Sequence, residues 1–218
     1  MLIKICGITS PETAIACLEA GAHLIGLVHY PPSPRHVDVA QMHNILDAVQ
    51  PYNARSVLVV VDQLPEEDVV SRFALLQSYG TVRHDVSIPQ MHVVKDYDTF
   101  MRLLESPIKT EDYFVLEMSK GLLPGGNGAA WDWSLAKPFC ERYPTFIAGG
   151  VTPENVADVI RLAAPLGIDV SSGVESAPGV KDIDKVKQLM ENVRRVKTIL
   201  YTGANWSFFL CVLCALYG

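Results

Sequence analysis

The sequence predicts a closed (β/α)8 barrel, an α/β fold built as one domain over residues 1–197, and three observations carry that expectation. Short β-branched runs alternate with helix-like segments along most of the 218 residues, the pattern of repeated βα units around a parallel sheet. Eight such runs fall near 2–6, 24–29, 56–61, 80–84, 91–95, 113–117, 145–148 and 168–171. No G-x-G-x-x-G fingerprint follows the first run, which argues against an open doubly wound sheet. A composition of 49% hydrophobic and 19% charged residues supplies the core that such a barrel needs.

Taken in order, the first run passes from Leu2 through Ile5 into Cys6-Gly7-Ile8-Thr9, a thiol where a buried strand ends, followed by a glycine turn. Ser10-Pro11-Glu12 then offers an N-cap hydroxyl, proline at the first helical position and an acid in the first turn. Thr152-Pro153-Glu154 repeats this arrangement after the seventh run, either as a duplicated βα unit or as one capping solution used twice. The second run leads into the proline-rich loop Tyr30-Pro31-Pro32-Ser33-Pro34-Arg35. Between His84, ending the fourth run, and Met91, starting the fifth, only about six residues remain, too few for an ordinary helix. Pro89 also opposes helix continuation there, so the fourth helix is expected to be missing or reduced to a turn. The sixth run closes on Glu117, the seventh opens into Gly149-Gly150, and the eighth, carrying Asp169, opens into Ser171-Ser172-Gly173.

Residues 198–218 form an apolar C-terminal tail whose role is open between packing on the barrel, an oligomer contact and a sequence end unrelated to function. The dozen apolar residues from Trp206 are short of the roughly 20 that a bilayer span requires, so membrane anchoring through this tail is the lesser alternative. Cys211 and Cys214 form a C-x-x-C without a second ligand pair, which argues against zinc there. Five irregularly spaced cysteines do not make a disulfide framework, and the N-terminus lacks a basic segment followed by an apolar one; a cytoplasmic location is the expectation. The net charge of -6 argues against a nucleic-acid partner, so any anionic ligand must be held by local groups.

In a (β/α)8 barrel reactive groups sit at the C-terminal ends of the strands and in the βα loops. Cys6 and Glu117 both have that address. Arg35 lies in a loop stiffened by three prolines, and its planar fork suits a carboxylate. Gly149 and Gly150, with Ser171, Ser172 and Gly173, place small residues after strands seven and eight, the recurrent phosphate site of this architecture. Gly125-Gly126-Asn127-Gly128 suits a movable cover over a ligand. His23, His36, His43 and His92 show no metal-ligand spacing, and no metal is expected.

Cys6-Gly7-Ile8-Thr9, Ser33-Pro34-Arg35, Gly149-Gly150 and Asp169-Val170-Ser171-Ser172-Gly173-Val174-Glu175, in that order over roughly residues 2–195, resemble the phosphoribosylanthranilate isomerase family of tryptophan biosynthesis. The resemblance implies an Amadori rearrangement of N-(5-phosphoribosyl)anthranilate, a small phosphorylated substrate, without a cofactor. It implies Cys6 as general base, Glu117 as general acid, Arg35 on the aryl carboxylate, Asp169 in support and His84 as a further substrate-binding group. It also implies phosphate binding at residues 149–150 and 171–173, and a monomer or homodimer. The chain departs from the family pattern at Glu117, where aspartate is usual, at the fourth helix, and at His29, where an aromatic ring is expected.

Two other readings remain open on the sequence. One is a catalytically impaired homologue that binds a phosphorylated ligand or a partner; the other is an isomerase acting on a related sugar phosphate. A mere binder needs no thiol at the end of strand one, and a substrate without an aryl carboxylate needs no Arg35.

Overall fold

The structure, a computed structural model, describes residues 1–61, 63–79, 85–105, 112–118 and 131–201, the last five by backbone alone. Eight parallel strands close into a barrel in sequence order: β1 (Leu2–Cys6), β2 (Leu24–His29), β3 (Arg55–Val60), β4 (Leu75–Ser78), β5 (Gln90–Val94), β6 (Tyr113–Leu116), β7 (Thr145–Ile147) and β8 (Gly167–Val170). The ring shuts where β1 pairs with β8, Lys4 opposite Asp169. Around it lie α1 (Pro11–Ala20), α2 (Val39–Val49), the short α3 (Glu67–Val70), α4 (Tyr97–Glu105), the short α5 (Lys137–Cys140), α6 (Val156–Ala163) and α7 (Ile183–Tyr201). A small antiparallel hairpin of β9 (Glu175–Ala177) and β10 (Val180–Lys181) follows β8.

Alternation along the strands sorts side chains between two cores. Ile3, Ile5, Ile25, Leu27, Leu58, Leu76 and Ile168 pack outward against the helices. Leu24, Val57, Val59, Leu75, Met91, Val115 and Phe146 fill the barrel interior together with Cys6. Gly167 admits the Phe146 ring, because a Cβ there would lie 2.4 Å from it. Ser10 caps α1 by accepting from the Thr13 N–H, as its sequence predicts.

Two expectations are corrected. The fourth strand is not at 80–84 but at Leu75–Ser78, and residues 80–84, including His84, lie outside the described residues. The connection from β4 to β5 therefore spans eleven residues, 79–89, rather than about six; its described residues, 79 and 85–89, contain no helix. The repeated cap at Thr152 does not open a helix directly: α6 begins at Val156, after a turn in which the Asn155 side chain accepts from Thr152 N–H and donates to Gly150 C=O, 2.8 Å each. The last helix, α7, ends at Tyr201, and residues 202–218 of the apolar tail lie outside the described residues. No helix among the described residues is long and apolar enough to cross a membrane.

Candidate active site

A cleft open to solvent on one side occupies the C-terminal mouth of the barrel, where this architecture places its ligand sites. Cys6, Arg35, Glu117, Gly149, Gly150, Asp169, Ser171, Ser172 and Gly173 all line it. The strand ends thus bring together every described residue singled out from the sequence. The loop Gly125–Gly128, like His84, lies outside the described residues.

Cys6 is the last residue of β1 and is 7% exposed. Two positions earlier on the same inward face stands Lys4, fully buried, whose Nζ donates to both oxygens of Asp169 at 2.9 Å. Gly26 on β2 makes the room: a Cβ there would lie 2.9 Å from Cys6 Sγ and 3.1 Å from Lys4 Nζ. Burial pushes the Cys6 thiol above its ordinary value, while the Lys4 ammonium pulls it back down. Burial also works against the Lys4 charge, yet Asp169 and Cys6 together outweigh it and hold the ammonium above its ordinary value. Cys6 at rest is therefore a thiol with a fixed cation beside it.

Across the mouth, Glu117 follows β6 directly and is 5% exposed. Its Oε2 accepts a 2.7 Å hydrogen bond from the Tyr79 hydroxyl. Burial first, then the Glu117 carboxylate, raises the Tyr79 phenol well above its ordinary value, so it stays a donor. Among the described residues, Tyr79 is the side chain that follows β4 into the cleft. Sequence reasoning missed it because the strand itself was misplaced.

Arg35 is reached through a tight loop, its N–H donating to Ser33 Oγ at 3.1 Å. Gly7, with φ +78°, is required beside it: a Cβ would stand 2.5 Å from Arg35 Cδ. The guanidinium is not idle. Its Nε and Nη2 donate to the two oxygens of Glu175 at 2.8 and 2.7 Å, an ion pair that the sequence reading did not anticipate. Glu175 also accepts from Lys181 Nζ at 2.5 Å. Burial opposes the Glu175 charge, but Arg35 and Lys181 prevail and hold its carboxyl below the ordinary value.

Gly149 and Gly150 adopt φ of +80° and +70° as β7 opens, and a 3-10 turn over Ser172–Val174 follows β8. Gly173 lets these two loops meet, since a Cβ there would stand 1.9 Å from Val151 O. Small residues and backbone thus wall this side of the cleft, as anion binding through N–H groups requires. Lys4, Arg35 and Lys181 face the carboxylates of Asp169 and Glu175, so the charges on this side of the cleft are held in ion pairs.

Residues 3–192 match the model of the N-(5'phosphoribosyl)anthranilate (PRA) isomerase family. An N-(5'-phosphoribosyl)anthranilate isomerase from Desulfatibacillum aliphaticivorans is 37% identical over 209 residues, covering 87% of this chain and 91% of the relative. Among solved structures, the phosphoribosyl anthranilate isomerase of Thermotoga maritima superposes with a TM-score of 0.78 at 31% identity, covering 89% of this chain and 99% of its own. A phosphoribosyl anthranilate isomerase in complex with reduced 1-(o-carboxyphenylamino)-1-deoxyribulose 5-phosphate gives a TM-score of 0.74 at 31% identity, covering 89% of this chain and all of its own.

Proposed function

Because the chain belongs to the N-(5'phosphoribosyl)anthranilate isomerase family, we propose that Cys6 and Glu117 are the proton-transferring pair of its reaction. The protein is an isomerase of tryptophan biosynthesis; it converts N-(5-phosphoribosyl)anthranilate to 1-(2-carboxyphenylamino)-1-deoxyribulose 5-phosphate. The observation that carries the residue roles is their convergence: an acid after β6 and a thiol ending β1 face one cleft whose β7 and β8 loops suit a phosphate.

Glu117, held by Tyr79, gives the proton of its carboxylic acid form to the ribose ring oxygen, which opens the ring toward a Schiff base and leaves the carboxylate. Cys6, once deprotonated, removes the proton from C2, and the resulting enolamine tautomerises to the ketone. The thiolate is the less favoured form at rest, so Lys4 matters: its ammonium is the one group beside the sulfur that supports negative charge from within β1. Asp169 serves by holding Lys4, and it contributes to the site through that cation. Phosphate is bound by the backbone around Gly149, Gly150, Ser172 and Gly173, which anchors the sugar between acid and base. Arg35 gives one edge of its guanidinium to Glu175, and the other edge, with Nη1, remains to grip the aryl carboxylate.

Cys6→Ala tests the assignment. Turnover should fall to background while the reduced product analogue binds within a few-fold of the parent, because a base acts on the transition state more than on ligand affinity. Retained turnover in this variant would remove Cys6 from the mechanism.

A further inference from the structure

We propose that Glu175 is a positioning residue that selects the carboxylate-bearing ligand, by fixing how Arg35 faces the cleft and tying that arginine to the phosphate loop through Lys181. The inference rests on the reading of Arg35 as the carboxylate receptor.

Glu175 opens β9, is 8% exposed, and spends each carboxylate oxygen on a different nitrogen of Arg35. A planar guanidinium held along one edge is fixed in rotation as well as in place, so its opposite edge becomes a second fork of set direction. The same Glu175 Oε1 that takes Arg35 Nε also accepts from Lys181. Lys181 in turn donates to Ser171 C=O at 3.3 Å and to Ser171 Oγ at 3.4 Å, at the start of the loop after β8. Arg35, Glu175, Lys181 and Ser171 therefore form a continuous polar chain from the carboxylate end of the ligand to its phosphate end.

The hairpin bearing this chain is locked against the Arg35 loop. Gly179 has φ +82°, and a Cβ on it would stand 2.6 Å from Pro34 C=O. The Thr9 hydroxyl donates to Gly179 C=O at 3.2 Å, which ties the hairpin to the turn after β1 as well. Removing the Glu175 charge would leave Arg35 and Lys181 without their shared anion. Attraction for any anion would then rise, while the direction of the Arg35 fork would be lost. Those two effects have opposite signs for inorganic phosphate and for the aryl carboxylate, which makes the role measurable.

Three ligands should be titrated calorimetrically against the full chain: the reduced product analogue, its phenylamino counterpart lacking the carboxylate, and inorganic phosphate. In Glu175→Gln the preference for the carboxylate-bearing analogue over its counterpart should shrink by about tenfold or more, as expected for a misaimed contact. Affinity for inorganic phosphate should hold or improve. Glu175→Asp, which keeps the charge but draws it back by one methylene, should give an intermediate preference and serves if the glutamine variant does not fold. Equal losses for all three ligands would overturn the proposal, since a merely structural residue behaves that way. A preference unchanged in Glu175→Gln but abolished in Arg35→Met would overturn the role of Glu175 alone. A preference unchanged in Arg35→Met would overturn the reading of Arg35 and this inference with it.

Discussion

Replacing Lys4 by methionine should separate two jobs performed by one ammonium. The Lys4–Asp169 pair is wholly inside the barrel, with side-chain exposures of 0% and 4%, so solvent screening does not soften its loss. Removing one partner of a buried pair typically costs about 3–5 kcal/mol, because the other charge is left uncompensated. At about 2–4 °C per kcal/mol for a chain of this size, the midpoint of thermal unfolding should fall by roughly 6–20 °C. The second job is kinetic. Cys6 must be deprotonated to act, its burial raises the thiol, and Lys4 lowers it. The rate should therefore climb with pH through the thiol's titration, above the ordinary thiol range of about 8.5, and in Lys4→Met the climb should begin at still higher pH. Each unit of displacement leaves about tenfold less thiolate at neutral pH. The double variant Lys4→Met/Asp169→Asn removes both charges and should recover most of the unfolding midpoint. Its pH profile should stay displaced, because Lys4 acts on the thiol more strongly than Asp169 does. Thermal unfolding and kcat/KM between pH 6 and pH 10, on the order of the range where thiols titrate, provide both readouts. A double variant with a parental pH profile would refute the argument and reduce Lys4 to a counter-ion for Asp169.

Tyr79→Phe should lower kcat by about tenfold or more with little change in KM, since it removes a hydrogen bond to a carboxylate worth about 1.5–3 kcal/mol without touching the phosphate or carboxylate subsites. Steady-state kinetics decide it, and an unchanged kcat would show that Glu117 is held by other means. Gly173→Ala should weaken phosphate-only and carboxylate-bearing ligands alike and destabilise the fold by about 1–3 kcal/mol, because the added methyl meets Val151 C=O and must push the β7 and β8 loops apart. Calorimetry with inorganic phosphate checks this, and parental affinity would mean that these loops do not form the anion site.

Seven of the eight barrel strands could be read from the sequence because each carries β-branched residues where the burial is deepest. The fourth could not. Leu75-Leu76-Gln77-Ser78 contains no β-branched residue, whereas Thr81-Val82 a few positions on does, and local preference pointed to the wrong run. That error also hid Tyr79. Lys4 was legible in principle: it shares the inward phase of Cys6 on β1, and a lysine there needs a buried acid, which Asp169 on β8 supplies. Glu175 was not legible in the same way. It lies 140 positions from Arg35, past the last barrel strand, and only the return of the hairpin over the Arg35 loop reveals the pair. Cys6, Glu117 and the small residues after β7 and β8 were found because a strand end is recognisable without knowing what faces it.

The seam between β1 and β8 joins the first barrel strand to be synthesised to the last, with Lys4 and Asp169 separated by 165 positions. An emerging chain carries its thiol from the start but lacks the strand and the carboxylate that keep the lysine beneath it in place. The loop after β8 and the hairpin holding Arg35 come later still. Chemical competence is thus withheld until synthesis has passed β10, and a nascent or prematurely terminated polypeptide has no working centre to expose. The same adjacency brings the two ends of the barrel together, so a covalent join across the seam, with new termini cut into a distant loop, would preserve the active arrangement while reversing the order in which its halves appear.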